Sequence, residues 1–291
     1  MNILSFRLWI LWFSVLLGGC AIDVSSGSFV HQDSTVMPLD TTQLHQRVNE
    51  DEAEVSITTV ELTNAQGLTL KGVAVSYPNP VVNIVFFAGN GMSISNSSGL
   101  MHRFGQIPAN ILWVDYQGVG ASQKAASMRM ANLKADALQV YDYGRSVFPS
   151  HLPTVVHGIS MGSIVASYVA SVRDVDGLVL DGPINRVTDV AQNMIPTWTK
   201  YFTYLEVSAD LALVDNADYI RNYQGPLMIL TGRDDELTPV KFGRELYDIS
   251  PSMNKEIIIV PGAKHAETME HRRVIPKYRE FISSFDKFPG Y

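Results

Sequence analysis

The sequence predicts an α/β protein: one domain built on a mostly parallel, doubly wound sheet, with a small helical lid inserted after the sixth strand. Short, nearly continuous apolar runs, typical of strands buried on both faces of a parallel sheet, alternate with helical patterns. The 291 residues are 46% hydrophobic and only 18% charged, which suffices for a large core and excludes a disordered chain. We divide the chain into a leader at residues 1–19, a tether at 20–54 and a folded domain at 55–291, with the lid at about 185–223.

The leader has the features of an export signal. Arg7 is its only charge, and the uncharged run from Leu8 to Gly19 is shorter than the roughly 20 residues that span a bilayer. The run ends Leu-Leu-Gly-Gly before Cys20, which resembles the lipobox of bacterial lipoproteins. This resemblance implies cleavage, acylation of Cys20 and anchoring in the cell envelope. Ala21 at the next position favours the periplasmic face of the outer membrane over the inner membrane. An uncleaved signal anchor with an incidental cysteine is the alternative.

Residues 20–54 are rich in serine, threonine and glutamine and carry few large apolar side chains, so we predict a flexible tether. The single cysteine excludes an internal disulfide. The net charge of −7, without a basic cluster, argues against nucleic-acid binding.

The predicted elements of the domain follow in order. Two strands at 55–62 and 68–76 are joined by a turn at Asn64-Ala65-Gln66-Gly67. Further strands are predicted at 81–87, 111–115, 154–157, 177–180, 226–230 and 256–260, and helices at 127–148, 161–172, 240–249 and 267–285. The segment at 185–223 is too long for an ordinary crossover and is interpreted as a helical lid, with a longer crossover packed on the sheet as an equal alternative.

A Gly-x-Ser-x-Gly motif, centred on Ser160, follows the strand at 154–157 and leads into an apolar helix. A serine at such a turn needs small neighbours to expose its hydroxyl, and Gly158 and Gly162 provide that space. The motif in this context resembles the α/β-hydrolase superfamily, whose members include serine esterases, lipases, thioesterases and serine aminopeptidase-like enzymes. The resemblance covers residues from about 55 to 285 and implies a nucleophilic role for Ser160.

The same resemblance implies an acid and then a histidine, each after a later strand. Asp235 stands in the sequence Gly232-Arg-Asp-Asp-Glu-Leu-Thr-Pro239, where the family's spacing from glycine to proline selects it over Asp234. His265 ends Pro-Gly-Ala-Lys-His, similar to the family's proline-glycine-x-x-histidine loop. Asp235 and His265 are therefore the candidate acid and base.

The strand at 81–87 is followed by Ala88-Gly-Asn-Gly-Met92, similar to the family's histidine-glycine-x-glycine loop, with Ala88 in place of histidine. The resemblance implies an oxyanion hole, which we assign to the backbone N–H groups of Met161 and Asn90. A second match, Asp115-Tyr-Gln-Gly-Val-Gly-Ala-Ser122, is interpreted as structural.

These features predict a serine hydrolase that cleaves a carboxylic ester or thioester through an acyl-enzyme, acting on a small-molecule or lipid acyl substrate. Met92, Trp198, Tyr201 and Phe202 are the candidate pocket residues. A serine peptidase or amidase of the same fold is one alternative, and a non-catalytic envelope lipoprotein that uses the fold for binding is another. The histidines outside the motifs show no ligand spacing, so we assign no metal, and the chemistry requires no cofactor.

Overall fold

The computed structural model describes residues 20–48, 54–195, 198 and 203–285. The predicted leader, residues 1–19, lies outside them. Ten strands occur in the described residues: β1 (Cys20–Val24), β2 (Ser56–Thr63), β3 (Thr69–Ser76), β4 (Val82–Phe87), β5 (Ala109–Val114), β6 (Thr154–Ile159), β7 (Gly177–Asp181), β8 (Thr203–Val207), β9 (Leu227–Gly232) and β10 (Lys255–Val260).

The helices of the described residues are α1 (Ser26–Phe29), α2 (Thr41–Val48), α3 (Ile94–Ser97), α4 (Gly99–Gly105), α5 (Met130–Val147), α6 (Met161–Val172), α7 (Val187–Met194), α8 (Ala209–Ala212), α9 (Asn216–Arg221), α10 (Val240–Ile249) and α11 (Val274–Ser283). In that part of the chain, no helix combines the length and apolar character needed to cross a membrane.

Eight strands form one sheet in the order β2-β3-β5-β4-β6-β7-β9-β10, in which only β3 runs antiparallel to its neighbours. Every residue of β4, β5, β6, β7 and β9 is buried, as the continuous apolar runs predict. The α/β-hydrolase fold, with a mostly parallel central sheet, is confirmed. Because β4, β6, β9 and β10 are parallel, the loops that follow them meet at one edge of the sheet.

Helices α6 and α10 have the predicted bounds, residues 161–172 and 240–249. The predicted C-terminal helix at 267–285 is divided into a 3-10 turn at Thr268–Glu270 and α11. Helices α3 and α4 were not predicted. Both are too short to show apolar periodicity. Helix α3 is polar and starts at the Ser93 cap, whose hydroxyl accepts the Asn96 N–H, whereas α4 starts after Ser98 without a side-chain cap and buries Met101 and Phe104.

Residues 20–48 lie against the domain instead of forming the expected flexible tether. The side chains of Val30, Leu44 and Val48 are buried in the main core, so this polar segment is fixed by a few apolar side chains and by main-chain hydrogen bonds. We call residues 20–37 the N-terminal strap. Its first strand, β1, pairs in parallel with β8 as a separate two-stranded sheet.

The lid contains the helices α7, α8 and α9 and also the strand β8, so it is mixed rather than purely helical. The strand was not predicted because its hydrogen-bond partner, β1, is distant in the sequence: Cys20 pairs with Thr203 and Val24 with Val207. The lid follows β7, the sixth strand of the main sheet, as predicted.

Candidate active site

Ser160 lies at the tight turn between β6 and α6, with a strained backbone conformation of φ 53° and ψ −117°. The turn is possible because its neighbours lack side chains: a Cβ on Gly158 would overlap the Gly162 carbonyl, and one on Gly162 would overlap the Phe87 carbonyl. The Ser160 N–H donates to the Asp181 carbonyl across 2.9 Å and fixes the turn to β7. These contacts hold the Ser160 hydroxyl at the end of the central strand.

The structure brings the three residues expected from spacing together. His265 Nε2 lies 2.9 Å from Ser160 Oγ, and His265 Nδ1 lies 2.8 Å from Asp235 Oδ2. An ionised carboxylate only accepts hydrogen bonds, so Nδ1 carries the proton and Nε2 is left to accept the hydroxyl proton of Ser160. The arrangement therefore has the polarity needed to activate a serine nucleophile.

Asp235 is held by the turn that follows it. Its Oδ1 accepts the N–H groups of Leu237 and Thr238 at 2.9 and 2.8 Å, and its Oδ2 accepts the Thr238 hydroxyl at 2.7 Å. Burial acts to raise the pKa of Asp235, but the hydrogen bonds from His265 and Thr238 outweigh it and hold the pKa below its ordinary value. Asp235 is therefore ionised at neutral pH.

Thr238 is a site residue that sequence reasoning missed. Its hydroxyl lies 3.1 Å from His265 Nδ1 as well as donating to Asp235. The sequence carried a usable signal, because an aspartate followed by a threonine three residues later is a common turn in which the carboxylate accepts main-chain N–H groups.

The loop after β4 passes beside the nucleophile. A Cβ on Gly89 would lie 3.5 Å from Ser160 Cβ, so the backbone approaches Ser160 closely there. Ala88 replaces the usual histidine, yet the loop is held: the Tyr116 hydroxyl donates to the Ala88 carbonyl at 3.0 Å, and the Asn96 side chain donates to the Gly91 carbonyl at 3.1 Å.

Met161 and Asn90 are the predicted oxyanion-hole residues. They directly follow Ser160 and Gly89, whose close approach brings the two parts of the chain together. Met161 is the first residue of α6, where N–H groups lack helical partners. Within the described part of the chain, neither the Met161 nor the Asn90 N–H donates to another protein group. Both are thus available to a bound oxyanion.

A cavity of about 690 Å³ opens onto Ser160 and His265. The strap contributes one wall, which is formed by Ile22, Asp23, Val24, Ser28, Phe29 and His31. The lid and the residues around it contribute an apolar wall formed by Ile184, Val190, Ala191, Met194, Ile195, Leu205 and Leu237. The cavity is therefore mainly apolar, with few polar groups besides the candidate catalytic residues.

Met92 lines this cavity, as predicted, whereas Trp198 does not. Trp198 is 78% exposed, and helix α7 and the strap supply the apolar wall instead. Tyr201 and Phe202 lie outside the described residues. Cys20 is the first residue of β1, beside Thr203 of the lid, and its acylation stays a prediction.

A second buried carboxylate lies near the candidate acid and base. Asp181 ends β7, and its side-chain oxygens face the Thr268 hydroxyl without a well-formed hydrogen bond. Burial raises the pKa of Asp181 to about 7, although the Thr268 hydroxyl and the charge of His265 act to lower it; the charge of Asp235 adds a smaller increase. The following residue, Gly182, packs on the acid–base pair: a Cβ there would lie 3.4 Å from Asp235 Oδ2 and 3.6 Å from His265 Cε1.

Over the described ranges, no three histidine, cysteine or acidic residues cluster as metal ligands.

Comparison with known proteins places this geometry in context. Residues 78–224 match the family model described as "Serine aminopeptidase, S33". Human Protein ABHD12B is 25% identical over 223 residues, which cover 70% of this chain and 61% of that protein. The uncharacterized membrane protein YNL320W of Saccharomyces cerevisiae is 29% identical over 168 residues, which cover 56% of this chain and 57% of that protein. The chain thus spans about three fifths of the length of these curated relatives.

Solved structures share the fold. The Pyrococcus furiosus esterase Pf2001 superposes with a TM-score of 0.68 at 18% identity, covering 88% of this chain and 97% of that chain. Est1E from Butyrivibrio proteoclasticus, solved with ferulic acid bound, gives a TM-score of 0.63 at 16% identity and covers 78% and 99%. At such low identity the likeness establishes the fold and no more.

Proposed function

Because the chain belongs to the α/β-hydrolase family described as serine aminopeptidase, S33, and is a serine-type α/β hydrolase, we propose that it cleaves carboxylic esters or thioesters through an acyl-enzyme on Ser160. The observation that carries the proposal is the hydrogen-bonded series Ser160–His265–Asp235 at the base of an apolar cavity. One protein of similar fold, Pf2001 of Pyrococcus furiosus, is an esterase, which agrees with this chemistry.

In the first half-reaction, the Ser160 oxygen attacks the acyl carbonyl while His265 Nε2 accepts the hydroxyl proton. Asp235 stabilises the resulting imidazolium through Nδ1. The carbonyl oxygen becomes an oxyanion that accepts the N–H groups of Met161 and Asn90, and each such donor contributes on the order of 10²–10³ in rate. Collapse of the tetrahedral intermediate breaks the bond to the alkoxide or thiolate, which takes the proton from His265.

The second half-reaction repeats these steps with water. His265 Nε2 removes a proton from water, and the water oxygen attacks the acyl-enzyme carbonyl. The second tetrahedral intermediate then collapses by breaking the bond to Ser160 Oγ, which takes the proton from His265, and a carboxylic acid is released.

The cavity walls support an acyl substrate. The lid face offers aliphatic and methionine side chains, which suit an acyl chain. The proposed lipid on Cys20 would keep this cavity close to membrane acyl esters, at the periplasmic face of the outer membrane. One curated relative is also described as a membrane protein.

A second candidate function is aminopeptidase activity, which the family description favours. The exposed carboxylate of Asp23 lines the cavity and is a partner of the right charge for a substrate amino group. The same attack on an amide carbonyl by Ser160 would then release an amine.

The test compares the full-length chain with Ser160→Ala, using a fluorophosphonate probe and then a panel of p-nitrophenyl esters of graded chain length and aminoacyl anilides. We expect labelling of the unaltered chain only, with turnover of the esters. Equal labelling of both proteins, or of neither, contradicts the Ser160 mechanism and favours a binding role. Preferential cleavage of the anilides supports the peptidase alternative.

A further inference from the structure

The N-terminal strap contacts the loop that carries one of the proposed oxyanion donors. The Asn90 side chain accepts the His31 N–H through Oδ1 at 2.7 Å and donates through Nδ2 to the Phe29 carbonyl, also at 2.7 Å. Both strap groups belong to the main chain. The Asn90 carboxamide therefore pairs with strap residues 29 and 31 as a neighbouring strand would.

Within the loop itself, one hydrogen bond orients the peptide between Gly89 and Asn90. Glycine at position 89 allows the close approach to Ser160 but leaves the backbone with many accessible conformations. The Gly89 carbonyl accepts the Met92 N–H at 3.2 Å, so the Asn90 N–H, antiparallel to that carbonyl across a trans peptide, points the opposite way. The Gly89 N–H reaches only the Met92 sulfur, a weak acceptor, at 3.3 Å.

The strap itself is fixed on both sides of this contact. Asp33 donates its N–H to the Gly118 carbonyl and accepts the Gly120 N–H through Oδ2, each at 2.7 Å. On the other side, the Val24 carbonyl accepts the Ser208 N–H at 2.9 Å, and Val30 is buried in the core. Because the strap is fixed, its two hydrogen bonds to the Asn90 side chain can hold the orientation of the Asn90 backbone.

We propose that Asn90 is a positioning residue: its carboxamide, clamped between the Phe29 carbonyl and the His31 N–H, sets the direction of the Asn90 N–H in the oxyanion hole. The N-terminal strap is then part of the active site. This inference rests on the proposed acyl transfer at Ser160.

The experiment uses the full-length chain and two substitutions that keep the backbone N–H at position 90. Asn90→Leu removes both side-chain hydrogen bonds, while Asn90→Asp keeps the acceptor for His31 and loses the donor to Phe29. Asn222→Leu is the matched control, since Asn222 is also exposed and donates to a main-chain carbonyl, that of Asp218, at 2.9 Å. The readouts are kcat and KM on p-nitrophenyl butyrate, and the inhibition constant of an alkyl trifluoromethyl ketone, which forms a tetrahedral oxyanion.

We expect kcat to fall roughly 10- to 100-fold in Asn90→Leu and less in Asn90→Asp, because misplaced catalytic groups cost about that much. KM should stay within about twofold, and the ketone should bind more weakly in proportion to the loss of kcat. Asn222→Leu should match the unaltered chain.

Two results overturn the inference: kcat values of both Asn90 variants equal to the control, or a loss of kcat with unchanged ketone inhibition. If Asn90→Leu fails to fold, the kcat and the ketone inhibition constant of Asn90→Asp provide the test. An unaltered chain that neither turns over esters nor reacts at Ser160 refutes the proposed function itself, which distinguishes that failure from a failure of the Asn90 clamp.

Discussion

Asp235 is the most heavily bonded side chain of the candidate site. Two main-chain N–H groups, the Thr238 hydroxyl and the His265 ring all converge on its two oxygens. Charge-assisted hydrogen bonds of this kind fix the carboxylate in one orientation and, through it, the plane of the His265 ring. The reactivity of Ser160 thus depends on the turn that follows β9.

The first prediction concerns the Thr238 hydroxyl. Thr238→Val removes one hydrogen bond to Asp235 and leaves the N–H contact, so we expect kcat/KM to fall roughly tenfold, or about 1.4 kcal/mol of transition-state stabilisation. Thr238→Ser keeps the hydroxyl and should retain most of the activity. Steady-state kinetics on p-nitrophenyl butyrate provide the measurement, and equal activity of the valine and serine variants would contradict this role.

The second prediction concerns Asp181, whose pKa is raised from 3.8 to about 7 by burial. As pH rises above 3.8 the unfolded chain loses this proton while the folded chain keeps it, so the contribution to stability is complete at low pH and is lost as pH approaches 7. Asp181→Asn removes this titration. Between pH 5 and pH 8 the free energy of unfolding of the unaltered chain should fall relative to the variant by up to about 3 kcal/mol, at about 1.4 kcal/mol per pH unit.

Urea denaturation of both proteins at several pH values measures this difference. Other buried carboxylates, such as Asp115, titrate in both proteins and cancel in the comparison. A stability difference that does not change with pH would show that Asp181 is ionised in the folded protein.

Ser160, Asp235 and His265 could be predicted because each lies at a fixed distance from a glycine or proline at a strand end. Thr238 was missed although it follows Asp235 by three residues in the same turn. Gly182 could not be selected from spacing, since its contact with the acid and base depends on how turns from different strands face each other. Trp198 shows the converse: an aromatic residue in the lid was expected in the cavity but lies outside it, because aromatic character does not determine which face of a segment is buried.

At the scale of elements, the turn between β6 and α6 joins the nucleophile to the sheet. Gly162 sits in the first turn of α6, directly against the end of β4, and no side chain fits between them. The close approach keeps the oxyanion loop, which continues from β4, beside Ser160.

The third prediction tests this packing. In Gly162→Ala the added methyl group overlaps the Phe87 carbonyl, so we expect a loss of several kcal/mol of stability, as for other overpacked buried sites. Gly99→Ala is the control, since a Cβ there has no atom within 4 Å. Thermal unfolding should show a large decrease for Gly162→Ala and little change for Gly99→Ala; similar melting temperatures for the two variants would contradict the close packing.

The parallel strands and the long helices were predictable because each has its own hydrophobic pattern, which the central sheet simply buries. Strands β1 and β8 were not, because each has only five residues and they pair with each other across most of the chain. The composition of residues 20–54 suggested a flexible tether. In the structure, main-chain hydrogen bonds that the sequence does not reveal fix residues 20–48 on the domain.

At the scale of the whole molecule, the cavity connects three distant parts of the chain. Its walls come from the strap, the lid and the carboxyl edge of the sheet. The strap begins at Cys20, so a lipid on that residue would attach directly to a wall of the cavity. We therefore expect membrane attachment and substrate access to occur on the same side of the protein.

The fourth prediction addresses this anchor. Cys20 is the only cysteine, so Cys20→Ser should abolish palmitate incorporation and move the protein from the membrane to the soluble fraction when the full chain is expressed in a bacterium. Ala21→Ser keeps the cysteine and serves as the control. Membrane retention and an intact mass that are the same for both variants would contradict acylation at this residue.

The central claim, an acyl-enzyme on Ser160, is tested most directly by peptide mass mapping after rapid quenching of the full-length chain with p-nitrophenyl butyrate. The account predicts a butyryl group on the peptide that contains Ser160, formed in a burst of p-nitrophenol and absent from Ser160→Ala. Steady turnover of the ester with Ser160 unmodified, or with the butyryl group on another residue, would contradict it.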